Sequence, residues 1–266
     1  MSARIKQPNR DLQWVRMPTW WASRPEIHET LADAPAGDAI AALKLYLGLC
    51  ANANRKPTDR LPQTGSVEAT LSEWSAFLGL SRPMVIAGLS LLVQLEVIER
   101  LQVRPSIYRL VRYEDIGYWT RLPHQHLAVS RASGTLQKLV DMTNRSVTTL
   151  HALQLYVYLA SIRDRKTLQA RVSYTKLTDT LHMSRASVAR GLSILVNHDL
   201  VNMRQNDYDP VLKKKMAGVY WLKGRIGAAG EDQLLGPAGE SQLLDVATSD
   251  PPVASLASSN YADHLA

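Results

Sequence analysis

Two arginines, Arg82 and Arg185, each follow a serine that can open a helix, Ser81 and Ser184. An arginine in the first turn of an exposed helix can set two N–H donors on guanine O6 and N7, the commonest base-specific contact. Pro83 and Met84 follow the first arginine; Ala186 and Ser187 follow the second, with Arg190 a turn further on and Asn197 beyond it. Lys213, Lys214 and Lys215 place three charges in one polar loop, a chemistry suited to phosphate oxygens and indifferent to base sequence. Two other loops, Arg55-Lys56 and Arg165-Lys166, offer the same. The candidate contact set is therefore Arg82, Met84, Arg185, Ser187, Arg190, Asn197, Lys213, Lys214, Lys215, Arg55, Lys56, Arg165 and Lys166.

These residues belong to an internal repeat, and a repeat sets the architecture before any single element does. Ala42-Leu-Lys-Leu-Tyr-Leu-Gly-Leu49 returns as Ala152-Leu-Gln-Leu-Tyr-Val-Tyr-Leu159, and Arg55-Lys56 as Arg165-Lys166. Leu78 to Val93 returns as Leu181 to Val196, with nine of sixteen positions identical. Two copies are two modules rather than a solenoid, which needs at least three repeats.

Each copy reads as three helices and a hairpin. The first helix carries apolar residues at Leu43, Leu47 and Cys50, or at Leu153, Val157 and Ala160. A basic loop follows. The second helix opens at Thr70, where Thr70-Leu-Ser-Glu73 fits a capping box, and at Ser173 in the other copy. The third opens at Ser81 or Ser184 and buries Val85, Leu89 and Leu92, or Val188, Leu192 and Leu195. Gly88 and Gly191 fall at the same point of both third helices, where a helical glycine costs about 1 kcal/mol relative to alanine; close approach of another helix is the expected reason. Two strands close each copy: Val97–Val103 with Ile107–Val111, and Leu200–Arg204 with Val219–Leu222.

Three helices with a tight turn between the second and third, followed by a two-stranded ribbon, is the pattern of a winged helix-turn-helix. Leu181-His-Met-Ser-Arg-Ala-Ser-Val-Ala-Arg-Gly-Leu-Ser-Ile-Leu195 resembles the turn and recognition helix of bacterial winged-helix DNA-binding proteins, and Leu78 to Leu92 is similar. Tandem copies without an enzyme domain also resemble plasmid and phage replication initiators. The resemblance implies a mainly α fold with small β-hairpin wings, built as two tandem winged helix-turn-helix domains at 39–112 and 147–224. It implies a sequence-specific double-stranded-DNA-binding protein acting as a transcriptional regulator, whose third helices lie in the major groove. The alternatives are a replication initiator binding origin repeats with replication proteins as partners, and an interaction scaffold whose winged helices bind protein. The second copy, richer in polar and basic residues on its third helix, is the stronger expected reader.

Outside the copies lie an arm, 1–38, a connector, 113–146, and a tail, 225–266. The arm's Trp14, Trp20 and Trp21 are expected to dock on the first domain, and the connector to orient the two domains. His124-Gln-His126 lacks a third ligand nearby, so no metal is expected. The tail has one basic and six acidic residues among Gly, Ala, Ser and Pro, and is expected to be disordered. The chain's formal charge of +7 therefore averages an acidic tail and a basic body, in which residues 147–224 carry twelve basic and five acidic side chains.

The single cysteine, Cys50, excludes a disulfide framework and a cysteine-based zinc site. The basic N-terminus is followed by no apolar run and does not read as a signal peptide. No stretch is apolar and long enough to span a bilayer, so a cytoplasmic location with no membrane partner is expected. There is no Gly-rich phosphate loop ending in Lys-Ser/Thr, no Gly-x-Gly-x-x-Gly, no His-Glu-x-x-His and no Gly-x-Ser-x-Gly. Neither enzymatic activity nor a cofactor is expected.

Overall fold

The computed structural model describes residues 9, 11–129, 134–204, 208–209, 214–215 and 217–224. Lys213 and the acidic segment 225–266 lie outside the described residues, as do the side chains of Lys214 and Lys215. The architecture is mixed: helices carry the core, and small antiparallel sheets flank them.

The first copy runs α2 (Ala36–Asn52), β2 (Ser66–Glu68), α3 (Leu71–Leu78), α4 (Arg82–Gln94), β3 (Ile98–Gln102) and β4 (Ile107–Leu110). The second runs α7 (Val147–Ile162), β6 (Gln169–Val172), α8 (Tyr174–Leu181), α9 (Arg185–Asn197), β7 (Val201–Arg204) and β10 (Gly218–Leu222). Their sheets have the same order, β2-β4-β3 and β6-β10-β7. The hairpin expected to be a free ribbon is thus two strands of a three-stranded sheet, with β4 and β10 at the centre. The extra strands fall where a basic loop was expected: Ser66–Glu68 is too short to show a period-2 pattern, and its backbone bonds to β4 define it. A further short pair, β8 (Tyr208–Asp209) with β9 (Lys214–Lys215), extends the second wing.

The helix faces follow the expected periodicity. Val85, Leu89, Leu92, Val188, Leu192 and Leu195 are all buried. The first helices depart from it: α2 is buried on every side from Ala39 to Asn52, because α4, α7, β1 (Val15–Pro18) and α1 (Pro25–Asp33) surround it. A helix apolar all round belongs in the centre of a core. Thr70 forms its capping box with Glu73, and Ser173 and Ser184 accept from Lys176 N and Ser187 N. Ser81 sits in N-cap geometry but makes no cap bond. Pro83, two residues on, has no N–H to give, so one of the two usual donors is missing.

The two copies pack together through α2 and α7, within one compact unit that holds all described residues. Their leaders cross over. Helix α1, which leads into α2, packs on α8; α6 (Gln137–Val140), which leads toward α7, packs on α3. Equivalent buried side chains tie down these crossings. Lys44 of α2 donates to Met142 O and Asn144 Oδ1, and Gln154, its counterpart on α7, donates to His28 O. Burial pushes the Lys44 ammonium down to about 8.

Tyr46 and Tyr156 are equivalent and both buried, yet only Tyr46 donates its hydroxyl, to Pro18 O. The Tyr156 hydroxyl has no partner among the described residues. Tyr46→Phe is expected to cost about 1 kcal/mol, and Tyr156→Phe to be neutral or mildly stabilising. Thermal melts of the two variants check this; equal losses would contradict it.

His28 is buried and hydrogen-bonds Ala22 O through Nε2, which must then carry the proton; Nδ1 faces the Gln154 amide, a donor. The neutral ring fits and the imidazolium does not, and burial holds its pKa below the ordinary 6.5. Burial does the same at His124, His126 and His151. Below pH 6.5 the unfolded chain therefore binds protons that the folded chain refuses, so stability falls as pH falls through that range. The melting temperature is expected to drop between about pH 7.5 and about pH 5.5, and a flat profile would contradict this.

Candidate nucleic-acid interface

Helices α3 and α4 meet at 99° across Gly79, which takes left-handed φ 64°; His182 takes the same conformation, φ 51°, between α8 and α9. This turn presents the first residues of α4 and α9 to solvent. Arg82 and Arg185 are exposed, and neither has a hydrogen bond or ion pair among the described residues. Arg82 lines a groove of about 800 Å³ with Arg104 and Ser106 of the β3–β4 turn and with Arg60, Glu68 and Glu73. Arg60, Arg82 and Arg104 outnumber the two carboxylates there, Glu68 and Glu73, so the groove is net positive. The other wing arginines are occupied: Arg109 by Glu99, Arg112 by Asp115, and Arg100 over the Tyr108 ring.

The candidate residues divide. On α9, Arg190 and Asn197 are exposed, as Arg185 is and as expected, with Asn197 at the opposite end of the helix from Arg185. Ser187 is not available: it is 8% exposed, its N–H caps onto Ser184 Oγ, and its hydroxyl bonds the same oxygen. It serves the helix start instead of a groove. Met84 is half-buried, its Cε 3.7 Å from where a Cβ on Gly37 would stand. The outer face of α4 is led by Arg82 and Ile86, the latter 51% exposed. Gly88 and Gly191 face α2 and α7, which supports packing as the reason for both glycines.

Arg55 and Arg165 are exposed but far from the helix starts. Met84 marks the N-terminal end of α2, whereas Arg55 follows its C-terminal end, some 22 Å away at about 1.5 Å per residue. At that end lies a feature outside the two repeated segments. β1 pairs antiparallel with β5 (Trp119–Leu122), from the connector, in the register Val15↔Leu122, Arg16↔Arg121, Met17↔Thr120. Trp14 stacks on Trp119, 6.2 Å between centroids and 18° between planes, and meets the first domain only through Arg55 among the ring contacts of the described residues. Trp21 docks as expected, edge-on to Tyr46, and Trp20 donates to Val111 O. The signal is in the sequence: Trp14-Val-Arg-Met-Pro18 and Trp119-Thr-Arg-Leu-Pro123 share Trp, Arg and Pro at matching positions. Each copy thus begins with its own strand and leader, and the two halves are related by a local two-fold running between Arg16 and Arg121.

Among the described residues no group of three or more His, Cys, Asp or Glu side chains is arranged to hold a metal ion. His124 bonds Leu12 O, and His126 bonds Asp199 O beside Lys138. No single helix among them is long and apolar enough to cross a membrane. Comparison with known proteins finds no family model, no curated protein and no solved structure that matches the chain.

Proposed function

We propose that the chain is a tandem winged helix-turn-helix protein that binds duplex DNA sequence-specifically and regulates transcription. One observation carries the reading: the same helix–strand–helix–helix–strand–strand order occurs twice, each time with a left-handed residue between the last two helices and an exposed arginine, unpartnered among the described residues, opening the second of them; α3 and α4 meet at 99°. Such pairs, joined by a short turn, are the geometry that sets a helix in the major groove. The two-fold relation of the copies favours inverted half-sites, and the unlike faces of α4 and α9 favour half-sites of unequal sequence.

The test is duplex binding followed across salt concentration, then occupancy on host DNA. Replacing Lys213, Lys214 and Lys215 by Ala is expected to flatten the salt slope by roughly 0.9 for each phosphate that these lysines neutralise in the wild type. An unchanged slope would remove this wing from the interface. Occupied sites at promoters support regulation; sites confined to repeats beside an origin would replace it with initiation. Negligible duplex affinity even at low salt would overturn the reading.

A further inference from the structure

The β1–β5 ribbon turns Val15, Met17, Thr120 and Leu122 inward and leaves Trp14, Arg16, Trp119 and Arg121 on its other face. Arg16 and Arg121 are directly opposite, and like charges in that position repel. Both are nevertheless held, each over the other strand's indole: Arg16 Cζ is 4.9 Å from the Trp119 ring, and Arg121 Cζ 4.9 Å from the Trp14 ring. Arg55 and Arg165 bring two more guanidiniums to the same rings, at 6.0 and 5.3 Å. A fifth, Arg163, lies beneath, 8% exposed, donating to Thr120 Oγ1 and Arg121 O. Helix dipoles account for part of this, since Arg55 and Arg165 follow the C-terminal ends of α2 and α7. They do not account for Arg16 facing Arg121.

Among the described residues, no carboxylate forms an ion pair with Arg16, Arg55, Arg163 or Arg165. Three acids close to these arginines in the chain have other partners. Asp164 accepts from Lys166 N, Thr167 N and Thr167 Oγ1; Asp115 pairs with Arg112; Glu114 accepts from Thr64. A guanidinium stacked on an indole still has in-plane N–H donors at its edge, the geometry that takes phosphate oxygens in pairs. Arg16 gives an Nη2 donor to Asp115 O, and its Nε is buried without a partner among the described residues.

We infer that the outer face of the β1–β5 ribbon is a second duplex-DNA site, which grips phosphates of the two strands across the local two-fold and lets one chain hold two duplex segments. The inference rests on the proposed winged-helix site as the first. Symmetry selects the duplex. Its two antiparallel backbones have a two-fold between them, as the four arginines do, whereas a single strand runs in one direction. The indole faces that would stack an unpaired base are already covered by guanidinium. Position separates this site from the first, since the ribbon stands at the C-terminal ends of α2 and α7 and the helix starts at the N-terminal end.

The experiment measures stoichiometry and bridging in the full chain. Immobilised duplex is saturated with protein, and capture of a second, labelled duplex is read. Wild type should bind two duplexes per chain and capture the label. Arg55→Gln/Arg165→Gln, exposed loop changes, should fall to one duplex per chain and lose at least tenfold in capture; Arg16→Gln/Arg121→Gln is the companion pair, with thermal melts run on both. Arg82→Gln/Arg185→Gln should also give one duplex per chain, through loss of the other site. If the ribbon alone binds DNA, the ribbon variants abolish all binding and Arg82→Gln/Arg185→Gln changes nothing, which sinks the major-groove reading and keeps this one. One duplex per wild-type chain that both ribbon variants still bind, undiminished capture by both ribbon variants, or single strands of the same sequence binding the ribbon more tightly than duplex would each overturn the inference.

Discussion

Gly88→Ala is expected to destabilise the fold by about 2–3 kcal/mol, while Gly191→Ala costs about 1 kcal/mol or less. A Cβ at Gly88 would lie 2.8 Å from the backbone C of Ala41, 2.8 Å from Ala42 N and 2.8 Å from Leu45 Cδ1. Two of those atoms are helix backbone and cannot turn aside, so α4 must lift off α2, against which it makes its most extensive packing. At Gly191 the tightest approach, 2.7 Å, is to Leu155 Cδ1, the far end of a side chain that can rotate; the backbone neighbours are at 3.3 Å. Alanine's better helix propensity returns about 1 kcal/mol at both positions. It is outweighed at Gly88 and comes close to balance at Gly191. In a chain of this size, Gly88→Ala should lower the melting temperature by roughly 5–10 °C. Equal melting of the two variants would contradict this difference in packing.

Arg82→Ala and Arg185→Ala together are expected to weaken binding to a cognate site by about 2–6 kcal/mol, with about 1–3 kcal/mol from each. Neither arginine has a folded-state partner to lose among the described residues, so stability should be unchanged and the whole effect should fall on DNA. Arg185, on the same exposed helix as Arg190, should relax base preference in one half-site. Arg82, among Pro83 and the exposed Ile86, should relax the other; Ile86 itself is placed to meet a thymine methyl. A uniform loss on all sequences would reduce both residues to phosphate contacts.

The three helices of each copy are legible in the sequence because the elements have strong local signals: a capping residue, an apolar stripe at i, i+4, i+7, and a copy to confirm it. Most of what is not legible is held by partners distant in the chain. Ser66–Glu68 has no strand pattern and becomes a strand only through β4. Ser187 reads as an exposed polar residue, but the cap at Ser184 draws it into the helix start. The five residues Trp14–Pro18 are too short a match to Trp119–Pro123 to stand out in a chain of 266. Pairing across about a hundred residues makes them the axis of the molecule, and with it the arm and connector become the beginnings of the two copies. Arg55 and Arg165, by sequence simple loop cations, acquire their place only from that pairing.

Selection of bound duplexes from a random-sequence library tests the central claim most directly. The expected result is enrichment of one bipartite site with unequal, inverted half-sites, and loss of sequence preference in a single half-site when Arg185 is replaced by Ala. A library that emerges without enrichment at low salt, or the same site recovered intact by Arg82→Ala/Arg185→Ala, would contradict it.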